Sequence, residues 1–316
     1  MIEVCNLCKK YGTFTAVDDL SFTLEKGEIL GFLGPNGAGK STTMNMITGY
    51  ISATNGSVTI SGHDLFSEPE EAKRSIGYLP EIPPVYPDMR VSEYLLFAAE
   101  LKGIKRSERK AEVRRVSEKT DIVPMSGKLI RHLSKGYRQR VGLSAAMLGN
   151  PPVLILDEPT VGLDPAQIIE MRNLIRELAK DHSILISSHI LFEVQNICTR
   201  VLIINHGKQI ALDTPEHIVK NLGGTEVYTI TVKGTAETAV RILSGVPGIT
   251  AVTHVTGTEE GKTVLSVGFP HGTDIREDVF YAFAEAKVPI LSGVMKERSL
   301  EDIFLLLTQE ENREEA

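Results

Sequence analysis

Residues Gly34-Pro35-Asn36-Gly37-Ala38-Gly39-Lys40-Ser41 follow the spacing G-x-x-x-x-G-K-[ST]. That spacing suits the grip of a phosphate chain. The glycines let successive backbone N–H groups turn inward around phosphate oxygens, and a helix opening at the loop adds free donors and the positive end of its dipole. Lys40 brings a charge to the outer phosphates, and the Ser41 hydroxyl is a ligand for magnesium. A second group stands at Val153-Leu154-Ile155-Leu156-Asp157-Glu158, four apolar residues ending in two carboxylates. Successive side chains on a strand point in opposite directions, so the two acids are expected to have different tasks. Asp157 fits the acid that holds magnesium, and Glu158 fits the base that polarises an attacking water. Cradle, metal and oriented nucleophile are the parts phosphoryl transfer requires.

These groups meet only if strands and helices alternate. The run 28–33 has the length of a buried strand and precedes the loop; a helical pattern, 41–47, follows it. Val153–Leu156 and Ser183–Ser187 are two further apolar strands, each near a helical segment. The alternation predicts an α/β fold whose parallel sheet delivers the carboxylates to its carboxyl edge, where open α/β folds bind ligands. Residues 2–24 read as short strands with turns at Gly12 and at Asp18-Asp19. Residues 92–148 lack such strands and read as a helical insertion. Within it, 102–115 carries seven Lys or Arg against Glu108 and Glu112, read as a solvated helix face.

Asn221-Leu222-Gly223-Gly224 marks a boundary between a first domain, 1–220, and a second, 225–308. In the second, Tyr228, Ile230 and Val232 alternate as in a half-buried strand. A helix (236–243), a hairpin (249–255 and 262–267, joined by 257–261), a helix (274–286) and a strand (289–294) follow. The order β-α-β-β-α-β is that of a small α+β ferredoxin-like unit. Ser299–Asp302 reads as a capping box opening a last helix, 300–307, and 309–316 as a frayed acidic end.

The formal balance of 34 basic against 41 acidic residues, −7, argues against a nucleic-acid partner, which needs a basic face. No apolar run approaches the roughly 20 residues that cross a bilayer, and the N-terminus shows no leader pattern. Cys5 and Cys8 have no second pair to complete a zinc site and lie in a strand-like segment; with Cys198 they read as plain thiols.

The motif order across residues 11–189 resembles that of ABC ATPases. Leu133-Ser134-Lys135-Gly136-Tyr137 is similar to the family signature, usually Leu-Ser-Gly-Gly-Gln, and Arg138-Gln139-Arg140 after it is also family-like. Pro159–Asp164 resembles the D-loop, and His189 falls at the switch histidine. Tyr11 falls at the aromatic that stacks on adenine, and Glu81 where most members have glutamine. The resemblance implies a P-loop fold of ABC type: parallel core sheet, antiparallel β subdomain and helical insertion. It implies ATP and Mg2+ as ligands, with Thr42 joining the phosphate loop, Lys40 and His189 joining Glu158 in catalysis, and Glu81 near the magnesium. Ser134, Lys135 and Gly136 would complete the site of a second cassette, with Asp164 beside them. Lys135, Tyr137 and Glu81 depart from the common pattern. Those departures, and the segment Arg298–Phe304, resemble the ATPases of ABC-2-type exporters of drugs, antibiotics and sodium, and of gliding motility. Such chains pair head to tail and serve separately encoded transmembrane permeases, docking near residues 82–97, on the cytoplasmic face of the membrane. Two rival readings exist. An ABC ATPase acting on nucleic acid or ribosomes would carry coiled coils or two cassettes, and a non-hydrolysing module would not keep Glu158 and His189.

Overall fold

The computed structural model describes residues 1–222, 225–255, 261–270, 272–296, 301 and 304. It divides into two compact units, Met1–Pro215 and Glu216–Ala316.

The first unit runs β1 (Ile2–Tyr11), β2 (Phe14–Leu24), β3 (Ile29–Leu33), α1 (Lys40–Ile47), β4 (Asn55–Ile60), β5 (His63–Asp64), α2 (Pro69–Arg74), β6 (Ile76–Leu79), α3 (Val91–Leu101), α4 (Arg109–Lys119), α5 (Lys135–Met147), β7 (Val153–Asp157), α6 (Pro165–Leu178), β8 (Ser183–Ser188), α7 (Leu191–Ile197), β9 (Arg200–Asn205) and β10 (Lys208–Asp213). The division falls at the first residue of α8 (Pro215–Leu222). A six-stranded sheet has the order β10-β9-β3-β8-β7-β6, parallel except for β10 at one edge. Every residue of β3, β7 and β8 is buried, as expected of parallel strands covered on both faces. Their registers, Leu33↔Ser188 and Asp157↔Ser187, bring the three carboxyl ends side by side.

A second sheet, β2-β1-β4-β5, is antiparallel. Gly12 takes φ +62° in the two-residue turn closing the β1–β2 hairpin, as the sequence predicts. Asp18-Asp19 is not a turn. It lies inside an eleven-residue strand, where Asp19 (φ +53°) and Asn6 (φ +48°) share a side-chain hydrogen bond of 2.8 Å amid register shifts. Asn and Asp tolerate the left-handed region, so the pair makes a bulge instead of ending the strand. Cys5 and Cys8 both lie on β1.

Helices α3, α4 and α5, with two 3₁₀ turns at Val123–Met125 and Ile130–His132, occupy the stretch read as an insertion. On α4, Val113 and Val116 turn inward, while Arg114 pairs with Glu118 at the surface and Arg115 with Glu112. The basic stretch is thus largely a solvated, internally paired face.

The second unit contains β11 (Thr225–Lys233), α9 (Ala236–Leu243), β12 (Ala251–Val255), β13 (Lys262–Pro270), α10 (Arg276–Glu285) and β14 (Ile290–Lys296). All pairings are antiparallel in the order β12-β13-β11-β14, the ferredoxin-like arrangement. Ile230, Val232, Leu243, Leu265, Phe269 and Phe283 build a core of its own. Gly293 on β14 has no side chain because the ring of Tyr228 on β11 lies across it. The expected linker glycines 223–224, the hairpin tip at 256–260, the capping-box residues 299–300 and the end 305–316 lie outside the described residues; of the expected last helix only Glu301 and Phe304 are described. No helix among the described residues is long and apolar enough to cross a membrane.

Separate cores predict separate folding. A chain ending at Leu222 is expected to unfold cooperatively and to bind ATP within about threefold of the full chain, read by calorimetry and nucleotide titration. An aggregated or non-binding product would show that the second unit completes the first.

Candidate active site

The phosphate loop leaves the end of β3 and enters α1 at Lys40. Two glycines are required there by close approach. A Cβ on Gly39, whose φ is +102°, would sit 2.6 Å from the Ala16 carbonyl oxygen, and one on Gly34 would sit 2.6 Å from that of Ile204. The loop therefore packs against two strands with its backbone, which leaves its donors available. Lys40 is only 8% exposed. Its ammonium donates to the carbonyls of Gly34 (2.6 Å) and Pro35 (3.0 Å), bending back over its own loop. Burial pushes its pKa down, and Glu158 and then Asp157 partly restore it.

Strand β7 ends at Asp157, and Glu158 adopts φ +47°. A left-handed glutamate costs of order 1–2 kcal/mol and is held only where the surroundings impose it. Ser187 is what holds it. Its hydroxyl donates to Asp157 Oδ1 at 2.5 Å and accepts the Glu158 N–H at 2.9 Å. The alternation that assigned opposite directions to the two acids does not apply, because Glu158 has left the strand. Both side chains line one cavity of about 480 Å³, with different partners. Glu158 Oε2 meets His189 Nδ1 at 2.8 Å; a carboxylate only accepts, so Nδ1 carries the proton. The histidine side chain is half exposed, and Glu158 is mostly buried. Burial is the main influence raising the Asp157 pKa and the charge of Glu81 adds to it, while the Ser187 hydrogen bond and Lys40 lower it.

The same cavity gathers Asn36, Gly37, Gly39, Lys40, Ser41, Thr42, Glu81, Asp157, Glu158 and His189. The backbone oxygen of Glu81 accepts from Nε2 of Gln139, a buried side chain on α5, so the signature helix and the Glu81 loop are tied within one chain. Gly34, Pro35 and Ala38 shape the loop without lining the cavity. Tyr11 does not line it either: its ring lies 5.2 Å from the Lys9 ammonium, and the aromatic facing the cavity is Phe14, its cross-strand neighbour. Sequence reasoning missed Phe14 and Ser187. The signal for Ser187 was its register opposite Asp157, which only the folded sheet supplies.

Ser134, Gly136, Tyr137, Arg140 and Gln167 line a separate cavity of about 250 Å³. Ser134 caps α5 by accepting the Tyr137 N–H (3.3 Å), and Asp164 caps α6 by accepting that of Gln167 (2.9 Å). The two segments interlock. The Lys135 side chain lies over Gly162 of the D-loop, and the Gln167 side chain lies over Gly136. None of 134–136 or 164 reaches the phosphate-loop cavity of its own chain.

A family model described as ABC transporter matches residues 17–161. The linearmycin resistance ATP-binding protein LnrL of Bacillus subtilis is 33% identical over 98% of each chain. The bacitracin transport ATP-binding protein BcrA of Bacillus licheniformis is 40% identical over 70% of this chain and 72% of that one. Among solved structures, an ATP-binding subunit of an ABC transporter superposes with a TM-score of 0.64 at 32% identity, covering 71% of this chain and 93% of that one. The ADP conformation of the cassette MJ1267 gives 0.63 at 27% identity, covering 70% and 94%. A chain with this sheet, this loop and these relatives belongs to the ABC transporter family. It is an ATP-binding, ATP-hydrolysing subunit, and its similarity to the linearmycin resistance ATP-binding protein covers 98% of the chain.

The raised pKa of Asp157 has a stability consequence. An acid with a folded pKa above its unfolded value contributes stability at low pH that is lost as pH rises through the folded value. Asp157→Asn keeps an acceptor for Ser187 and removes the charge. Without nucleotide or metal, this variant is expected to melt a few degrees above the parent at pH 7, with the difference gone below about pH 4, as scanning calorimetry would show. Equal melting temperatures at pH 7 would mean the carboxylate is not penalised by burial.

Proposed function

We propose that Glu158 is the general base of ATP hydrolysis in this chain, and that the cassette works as one of a pair driving a separately encoded exporter permease. The observation that carries the role of Glu158 is its position: a mostly buried carboxylate in the phosphate-loop cavity, aimed by a left-handed backbone and hydrogen-bonded to His189. Backbone N–H groups at 37–41 and the N-terminus of α1 bind phosphate oxygens. Lys40 exchanges its two carbonyl partners for the outer phosphates. Glu158 takes up proton density from the attacking water, and His189 holds that carboxylate in place and reaches the terminal phosphate with its other nitrogen.

The donor set fits magnesium. Ser41, Asp157 and Glu81 offer hard oxygen ligands around one cavity, yet no cluster of three His, Cys, Asp or Glu side chains forms a metal cage among the described residues. Such a site suits a cation that keeps waters and shares its shell with phosphates. Bound there, it would neutralise charge between nucleotide and carboxylates.

Ser134, Lys135 and Gly136 serve the ATP of the opposing cassette. Supporting this, none of the three lines the chain's own phosphate-loop cavity, and they stand at the capped N-terminus of α5, where helix N–H groups favour an anion. The permease docks beside Glu81, where Ile82 is 81% exposed and Tyr86 stacks edge-on to Phe97 at 5.8 Å. Docked in this way, the chain works on the cytoplasmic face of the membrane. Likeness to LnrL and BcrA supports export of a drug or antibiotic as the work done.

Glu158→Gln tests the central role. ATP affinity is expected to stay within about threefold while kcat falls on the order of 10²-fold or more. Turnover at the parent rate would remove Glu158 from the role of base.

A further inference from the structure

One buried carboxylate has no part in the chemistry above. Glu193, on the short helix α7 after His189, is 3% exposed. Its Oε2 accepts the hydroxyl of Thr160 at 2.6 Å and that of Ser188 at 3.3 Å. Its Oε1 is buried without a hydrogen-bond partner among the described residues. Thr160 and Ser188 are themselves 2% and 1% exposed, and the Ser188 oxygen also accepts the Ile190 N–H at 3.0 Å.

The two hydroxyls come from the segments that carry the reacting groups. Thr160 lies two residues beyond Glu158, and Ser188 immediately precedes His189. Strands β7 and β8 end their pairing at Asp157↔Ser187, so no ladder hydrogen bond sets the spacing further along. Side chains take over. A ring closes from Glu158 through Pro159 to Thr160, across Glu193 to Ser188, on to His189 and back to Glu158 by the 2.8 Å hydrogen bond. Burying a carboxylate that satisfies only one of its oxygens costs free energy, and a fold needing only to fill this space would do so with an apolar or fully paired group.

We infer that Glu193 is a positioning residue: by gripping Thr160 and Ser188 on one oxygen, it fixes the distance between Glu158 and His189. The inference rests on the proposed role of Glu158. Glu193 touches no substrate, so it acts on the chemical step through its two neighbours and leaves ATP binding alone.

The test uses the full chain, with ATP hydrolysis and thermal unfolding measured on each variant. Glu193→Ala is expected to lower kcat about tenfold or more with KM for ATP within about twofold. Glu193→Gln, whose carbonyl accepts the same hydroxyls, should keep kcat within about threefold of the parent. In a His189→Ala background, Glu193→Ala should cost nothing further, because the pair it sets no longer exists. Thr160→Val removes the shorter hydrogen bond without touching the carboxylate and should repeat the kcat-selective loss, which keeps the test decisive if Glu193→Ala fails to fold. An unchanged kcat in Thr160→Val or Glu193→Ala, a loss confined to KM, or an undiminished loss in the His189→Ala background would each overturn the inference. Parent-rate turnover in Glu158→Gln would instead strike the reading beneath it.

Discussion

One ammonium faces three carboxylates in a single cavity: Lys40 against Asp157, Glu158 and Glu81. Burial penalises the charges of Lys40 and Asp157, pushing the pKa of the first down and of the second up, while Glu81 stays exposed at the cavity's edge. The acids outnumber the ammonium, so a cation arriving with a polyphosphate would ease the charge balance. That charge balance supports the proposed magnesium-nucleotide ligand, alongside the chemistry of phosphoryl transfer.

The sheet makes that concentration of charge tolerable. Strands β3, β7 and β8 are apolar throughout and adjacent, and their parallel registers end within one residue of one another. Burial of those strands fixes where the phosphate loop, the two acids and His189 emerge. Ser187 then joins the last paired residue of β7 to the first unpaired one, and so converts a strand end into a site. The strain at Glu158 is stored there because the packed strands beneath cannot shift to relieve it.

Much of this was legible in the sequence. The phosphate loop, the acid pair and the three core strands announce themselves as short, continuous patterns, and the ferredoxin-like order of the second unit follows from period-2 and period-3.6 runs. What was not legible depends on register or on neighbours distant in the chain. Asp18-Asp19 has turn composition, but pairing with β1 on one side turns it into a bulge. Phe14, paired directly across from Tyr11, lines the cavity, a placement that follows from the hairpin register and not from any motif. Lys135, an oddity when compared with the usual glycine, lies over Gly162, a partner 27 residues away that only folding supplies. Glu193 belongs to no motif, and its burial and two hydroxyl partners arise only from the packing of α7.

Lys40, Asp157 and Glu158 form a charge cluster that a magnesium nucleotide would complete. A crystal structure of the Glu158→Gln chain with ATP and Mg2+ tests it most directly. The Lys40 ammonium is expected to leave the Gly34 and Pro35 carbonyls for the β- and γ-phosphates, the metal to be held by Ser41 and Asp157, and residue 158 to face a water in line with the γ-phosphate. Lys40 still bound to its own loop, or a metal remote from Asp157, would contradict it.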